Sequence, residues 1–524
     1  MIMRIRNVKY LKSPFIEMII MGSSIVLSYL ALIVLGSVPE ALPVGAMTTA
    51  TVVSIQFAFF ILSISIALIS VVAGIGGGVI FTPIMLAFTP VNSVIIRGTG
   101  LIVAMFSSLV STGVFIRKGL CNYRLTLMMT VSQSAGALIG AVAAVSIASA
   151  GGDRGDGLLR LSLGIILAAL TIYLFVGGKK KEHPAGEYTS RFAAAFGLNG
   201  EYYEESEKRN YTYQVKRIGL GMVLILTVGF IGGFFGMGGG WAITPILNLG
   251  MNLPLKTAAA TSNVILGIGS CVSIWPYIYT GAIIPFFVLP WLAGLVIGGF
   301  IGSYALAKVR VNTVRLILIG IMLFTSFGLV TRALTNLGVM SSDLPAVAQV
   351  GVFAVIITGV IAVIIREKRK TPVKTSESGI TAAEAEKPQF QLPLSNRCFS
   401  SIVHTVTVFA SIAALFIPVL ILLNPENNIL NPHIIFQSIF SGASISEIWE
   451  MSPTGGFPGA HYYLSYLIKA DSWAQLVIAL GCSVGLWALI PTVVIQFARE
   501  KEWLWGAGGA VLAALMALAL AGVF

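Results

Sequence analysis

Two glycine triplets, Gly76-Gly77-Gly78 and Gly238-Gly239-Gly240, sit in matching strings, GIGGGVIFTPI at 74–84 and GMGGGWAITPI at 236–246. Glycine accepts positive φ and lets another group approach the backbone. A half-helix that starts just after each triplet has first-turn N–H groups with no intrahelical partner and a partial positive charge. Such a start can hold an anion without a charged side chain. Thr82 and Thr244 follow, each before a proline, Pro83 and Pro245. Proline ends or kinks a helix and frees backbone groups. Thr99 and Thr261 come 17 residues after them, and Thr261-Ser262-Asn263 is a polar run inside an apolar stretch. These side chains are candidate donors to an oxyanion. Two plainer readings compete: helical hydroxyls often satisfy backbone carbonyls, and glycines permit close helix packing. Arg97 and Lys256, near opposite mouths, are candidates for attracting an anion, with snorkelling to the interface as the alternative.

The elements that must position these residues are apolar and repeated. Of 524 residues, 56% are apolar and only 10% charged, against about 25% charged in soluble proteins. The charges cluster between runs of about 20 apolar residues, the length that crosses a bilayer. The composition implies a polytopic membrane protein and excludes disorder, a disulfide scaffold and a soluble enzyme. Four scattered cysteines and four histidines form no CxxC or HExxH pattern, so no metal or other cofactor is expected. The net charge of +12 fits basic cytoplasmic loops better than nucleic-acid binding.

Spans are expected near 15–36, 51–73, 92–116, 125–148, 157–177, 218–236, 255–279, 285–307, 314–331, 345–365, 399–423, 473–498 and 503–523. Without a gap, 74–119 and 236–281 share 13 identities in 46 positions. Gly136/Gly140 and Gly294/Gly298 add matching small-residue pairs. If both glycine segments cross the membrane and the N-terminus is cytoplasmic, 27 of the 33 Lys and Arg lie inside, and only Arg154, Arg332 and Lys469 lie outside. Each repeat then has five crossings, an odd number, which inverts one half relative to the other. Inverted halves with a midplane substrate site are a plan of secondary transporters. The expected fold is all-α, with two inverted five-crossing repeats, each holding a broken glycine-rich short helix, plus extra C-terminal membrane helices. The expected segments are 1–50 (signal-anchor-like span and outer loop), 51–177 (repeat 1), 178–217 (cytoplasmic loop), 218–335 (repeat 2), 336–397 (additional span and linker) and 398–524 (three-span module with external loop 424–472). No Asp or Glu falls within the repeat spans so drawn, which argues against a buried carboxylate relay.

The doubled GIGGG…TP motif, the threonine near the following span, the basic loop ending in glycine and KTAAATSN at 256–263 resemble the TauE/SafE sulfite exporter family, also called the toluene-sulfonate uptake permeases. The resemblance covers about residues 50–365. It implies an inner-membrane permease for sulfite or organosulfonates, with the lipid bilayer and a small anion as partners. Three features depart from the family: Arg97-Gly98-Thr99-Gly100 replaces an Ala-x-Thr-Ser pattern, the loop 178–217 is long, and the part after 398 has no recognised counterpart. A non-transporting accessory subunit or a membrane-embedded enzyme on a permease-like core is the alternative. Substrate identity, direction, coupling ion and oligomeric state are not encoded in any motif.

Overall fold

A computed structural model describes residues 14–37, 46–176, 191–204, 209–305, 311–340, 351 and 392–524. Apolar runs and the near absence of charge make helices the only economical spanning form, because every backbone group is then paired within its own segment. The helices are α1 (Pro14–Gly36), α2 (Thr49–Ala73), α3 (Gly78–Phe88), α4 (Ser93–Arg117), α5 (Tyr123–Val176), α6 (Arg191–Ala195), α7 (Ile218–Phe235), α8 (Gly240–Pro245), α9 (Leu255–Ser273), α10 (Trp275–Tyr279), α11 (Pro285–Ala305) and α12 (Val311–Asn336). Then come α13 (Leu394–Leu423), α14 (Pro432–Ser441), α15 (Ile445–Glu450), α16 (Ala470–Cys482), α17 (Val484–Ile495) and α18 (Trp503–Leu520). Ten apolar stretches among the described residues are long enough to cross a membrane, or eleven with α16 and α17 as one span bent by 41°. The chain is a multi-pass, all-α membrane protein.

The apolar windows of α4 and α9–α10 are wholly buried, while most residues of the α1 and α18 windows are not. Val26, Leu27 and Val34 on α1 and Val511 and Leu518 on α18 face outward, where lipid takes the place of water. Glycines set the closest helix contacts. Gly136 and Gly140 of α5 lie against the carbonyls of Leu226 and Phe230 on α7. Gly294 and Gly298 of α11 lie against the carbonyls of Phe60 and Ile64 on α2. The small-residue pairs read from the sequence therefore serve equivalent helix pairs in the two halves.

Contacts sort the helix ends. At one end, Ser395 N donates to Glu500 at 3.0 Å, Glu502 pairs with Arg124, Asn122 donates to Leu198 O at 2.7 Å and Val215 N donates to Asn199 at 3.1 Å. That end gathers the starts of α5, α7 and α13, and it also carries Arg117, Lys118, Lys216, Arg217, Arg397, Arg499 and Lys501. At the other end, α13 gives way to residues 424–472. Met47 N, just before α2, donates there to His433 O at 3.1 Å, and Trp449 Nε1 donates to Gly281 O at 2.8 Å. The matching helices α2 and α7 thus start from opposite ends.

Several expectations need correction. The loop expected between spans 125–148 and 157–177 is drawn as helix, because α5 runs unbroken over 54 residues. α5 carries two spanning windows, Tyr123–Ala148 and Gly155–Ile172. In the second, Gly157 meets Asn336 and Gly164 meets Ser326, so this window runs antiparallel to α12. Within the segment 178–217, β1 (Gly200–Glu204) pairs antiparallel with β2 (Arg209–Tyr213), and Tyr202 and Tyr211 stack across the pair. The span at 345–365 and most of 366–397 lie outside the described residues.

Candidate functional site

The two glycine segments fold alike. Gly74 and Gly76 have φ of 70° and 75°, and Gly236 and Gly238 have 69° and 70°. A side chain at these left-handed positions costs roughly 1–2 kcal/mol, which is why glycine recurs there at an offset of 162 residues. The short helices α3 and α8 begin at the third glycine of each triplet, one residue before the expected start. The prolines diverge. α3 continues through Pro83 to Phe88 with one donor fewer, so Pro83 does not break it. Pro245 ends α8, and a π-helical turn, Ile246–Gly250, follows.

The hairpins interlock by reciprocal contacts. Thr82 Oγ1 donates to Gly236 O at 2.7 Å, and Thr244 Oγ1 donates to Gly74 O at 2.6 Å. Gly78 lies against Met237 O, and Gly240 lies against Ile75 O. Gly74 abuts Ala259, and Gly236 abuts Arg97, the position 162 residues before Ala259. Such exchange of partners is what a two-fold axis produces. Leu266 fills the space beside both Gly76 and Gly238.

The competing packing reading therefore describes this conformation. A methyl group at any of the six triplet glycines would lie within 3.0 Å of a neighbour. Gly77 N is already taken by Ser107 Oγ at 3.0 Å. The hydroxyls of Thr82, Thr244 and Ser262 donate to hairpin carbonyls, Ser262 to Gly74 O at 3.1 Å. Asn263 Nδ2 donates to Val71 O at 3.2 Å and Ala259 O at 3.0 Å, and its Oδ1 accepts from Ser108 at 3.4 Å. Thr99 and Thr261 differ: both are fully buried, and neither hydroxyl makes a hydrogen bond of normal geometry. Thr261 lies by the Cys121 thiol in the loop after α4. Burial pushes that thiol up to about 11, with the Thr126 and Thr261 hydroxyls pulling the other way.

Arg97 does not snorkel. Its side chain is buried, Nη2 donates to Ser93 Oγ at 3.1 Å, and the same nitrogen lies 3.6 Å from Asp156 Oδ1. Arg160 Nε takes Asp156 Oδ2 at 2.7 Å. A carboxylate does lie inside the helical body, contrary to the expectation from the drawn spans. The i,i+4 spacing of Asp156 and Arg160 was the available signal. Lys256 lies half-buried in the first turn of α9. Gln133, missed entirely, is buried on α5 against Gly269, with both amide atoms unpartnered. A lone amide within an apolar span is its sequence signal.

The residues 398–523 grip the core. Tyr279 OH donates to Leu520 O at 2.8 Å and lies 3.0 Å from His461 Nε2, while Ser411 Oγ donates to Ala293 O at 3.2 Å.

Spanning helices folded around two interlocked broken helices are the build of a polytopic membrane transport protein. The chain belongs to the sulfite exporter TauE/SafE family, whose model matches residues 59–329. A second family model matches residues 398–523. The chain is similar to the probable membrane transporter protein YunE of Bacillus subtilis (strain 168), with 26% identity over 253 residues that cover 47% of this chain and 86% of that protein. No solved structure matches. Family and relative point to a transporter rather than an enzyme.

Proposed function

We propose that the chain is a secondary permease that exports small sulfur-containing anions, sulfite or an organosulfonate, across the inner membrane. The observation that carries this reading is the back-to-back meeting of two glycine hairpins from oppositely running helices in the buried centre. Inverted repeats meeting at mid-depth are a transporter plan. The packed hairpins correspond to a closed conformation. When they separate, the half-helix starts at Gly78 and Gly240, with Thr99 and Thr261, face the anion. The basic end is cytoplasmic by the positive-inside rule. That puts the N-terminus inside and the C-terminus outside. The segments 51–177 and 218–335 are the two repeats, and 398–524 is an outer-capped module fastened to them.

Reconstitution tests the reading. Liposomes holding the purified protein should release sulfite or a sulfonate down an imposed gradient. Gly77→Leu and Gly239→Leu, in protein that still elutes as a folded species, should abolish the flux. Folded wild-type protein that passes none of these anions under any gradient would refute it.

A further inference from the structure

One group of charges has no counterpart in the second repeat. Arg97 lies in α4, against Gly236 of the opposite hairpin. The matching position holds Ala259, so the two-fold packing itself needs no arginine here. Asp156 faces two guanidiniums, Arg97 and Arg160, and these three side chains carry a net charge of one positive unit. Arg160 is well satisfied, because it also donates to Leu86 O. Arg97 is not: its Nε and Nη1 are buried without acceptors. A guanidinium has five N–H groups, and those two nitrogens carry three of them. Leaving a buried donor unsatisfied is costly, and more so on a charged group. Removing such a charge from water is costly unless a counter-ion and hydrogen bonds compensate.

We propose that Arg97 is the buried charge that receives the transported anion, with Asp156 as its resident counter-ion. This rests on the permease reading above and adds a residue to that site. The ligand is an oxyanion with two or more terminal oxygens, because arginine binds such groups in a planar, bidentate way that lysine does not match. The free N–H groups on Nε and Nη1 donate to the anion's oxygens, and Nη2 completes the bidentate fork by giving up its weak 3.6 Å contact to Asp156. Asp156 then stays held by Arg160. The charge serves one repeat only, so the two ends of the pathway meet the anion differently: a guanidinium beside Ser93, and uncharged hydroxyls and amides beside Thr261.

The test uses the purified full chain in detergent, titrated with sulfite and separately with methanesulfonate while its melting temperature is followed. Binding to the folded state raises that temperature saturably. Arg97→Gln should raise the sulfite midpoint about ten- to a hundredfold, the range for a hydrogen-bonded charged group. Arg97→Lys should fall between. Asp156→Asn should lower the midpoint several-fold, because the internal competitor is gone. An ion pair that is only structural predicts a lower melting temperature in both Arg97→Gln and Asp156→Asn, with the sulfite midpoint unmoved. That pattern would overturn the proposal. If Arg97→Gln does not fold, Arg97→Lys and Asp156→Asn decide by the opposite signs of their shifts. Recovery of the wild-type midpoint in the Arg97→Gln/Asp156→Asn double variant would also overturn it. A wild-type protein that neither responds to nor passes any anion defeats the permease reading and this one together, whereas normal wild-type binding with an unchanged Arg97→Gln midpoint defeats this one alone.

Discussion

The two glycine hairpins share a backbone and differ in side chains. Both turn through left-handed glycines, both start a short helix at the third glycine, and each threonine reaches the other's carbonyl. Around that common frame, the first half places Arg97 where the second has Ala259, and Gly100 where the second has Ser262. Gly236 O therefore accepts from Thr82, while Gly74 O accepts from both Thr244 and Ser262. Backbone geometry is thus the conserved part of the repeat, and polarity is the variable part. Two copies of one backbone frame can therefore present different side chains around their turns.

The comparison can be broken most severely by making the second half resemble the first. Ala259→Arg buries a guanidinium against Gly74, and the position matching Asp156 supplies no carboxylate. An unpaired buried charge costs several kcal/mol, so this variant should aggregate on extraction, as size-exclusion chromatography would show. Next come Gly78→Ala and Gly240→Ala, which push a methyl group into Met237 O and Ile75 O. Overpacking of this kind costs about 1–3 kcal/mol, so both should lower the melting temperature. One variant behaving like wild type would end the two-fold account.

A sharper difference is expected from the threonines. Thr82→Val leaves Gly236 O without that donor, whereas Thr244→Val leaves Gly74 O still bonded to Ser262. An abandoned buried acceptor costs about 1–3 kcal/mol, so the Thr82→Val loss in thermal stability should exceed that of Thr244→Val. Equal losses would mean that Ser262 contributes nothing. The smallest effect is expected outside the hairpins. Gly22 of α1 has open space around its Cβ position. Gly22→Ala should be neutral or stabilising by about 0.5–1 kcal/mol, the helical advantage of alanine, in the same melting assay.

Much of the fold could be read from the chain because lipid leaves few options. Twenty apolar residues in a row must be helical and must cross, and lysine and arginine mark the side on which they stay. The internal match at an offset of 162 pointed to the triplets 76–78 and 238–240, of which only Gly76 and Gly238 take a left-handed φ; Gly74 and Gly236, which share it, were not singled out. The site was less legible. Hydroxyls at 82, 244 and 262 read equally as anion donors or as carbonyl partners, and only the location of the opposite hairpin separates these. Arg97 read as an interfacial residue, because the carboxylate that meets it lies 59 residues away along the chain. The division of α5 into two windows near 149–156 was legible from its glycines and aspartates, although the residues between the windows are helical rather than a loop.

Composition, periodic charge and repetition by themselves determined a membrane-spanning helical protein with two copies of one glycine hairpin. Those features act locally: each apolar run and each left-handed glycine is constrained by its own covalent chemistry and by the solvent around it. Tertiary structure decided what the hairpins face, which hydroxyls were already engaged, and that Arg97 would be buried beside Asp156 with donors to spare. These are matters of distance between residues far apart in the chain. Hydrogen bonds and ion pairs act over a few ångströms, so only the packed arrangement could settle them.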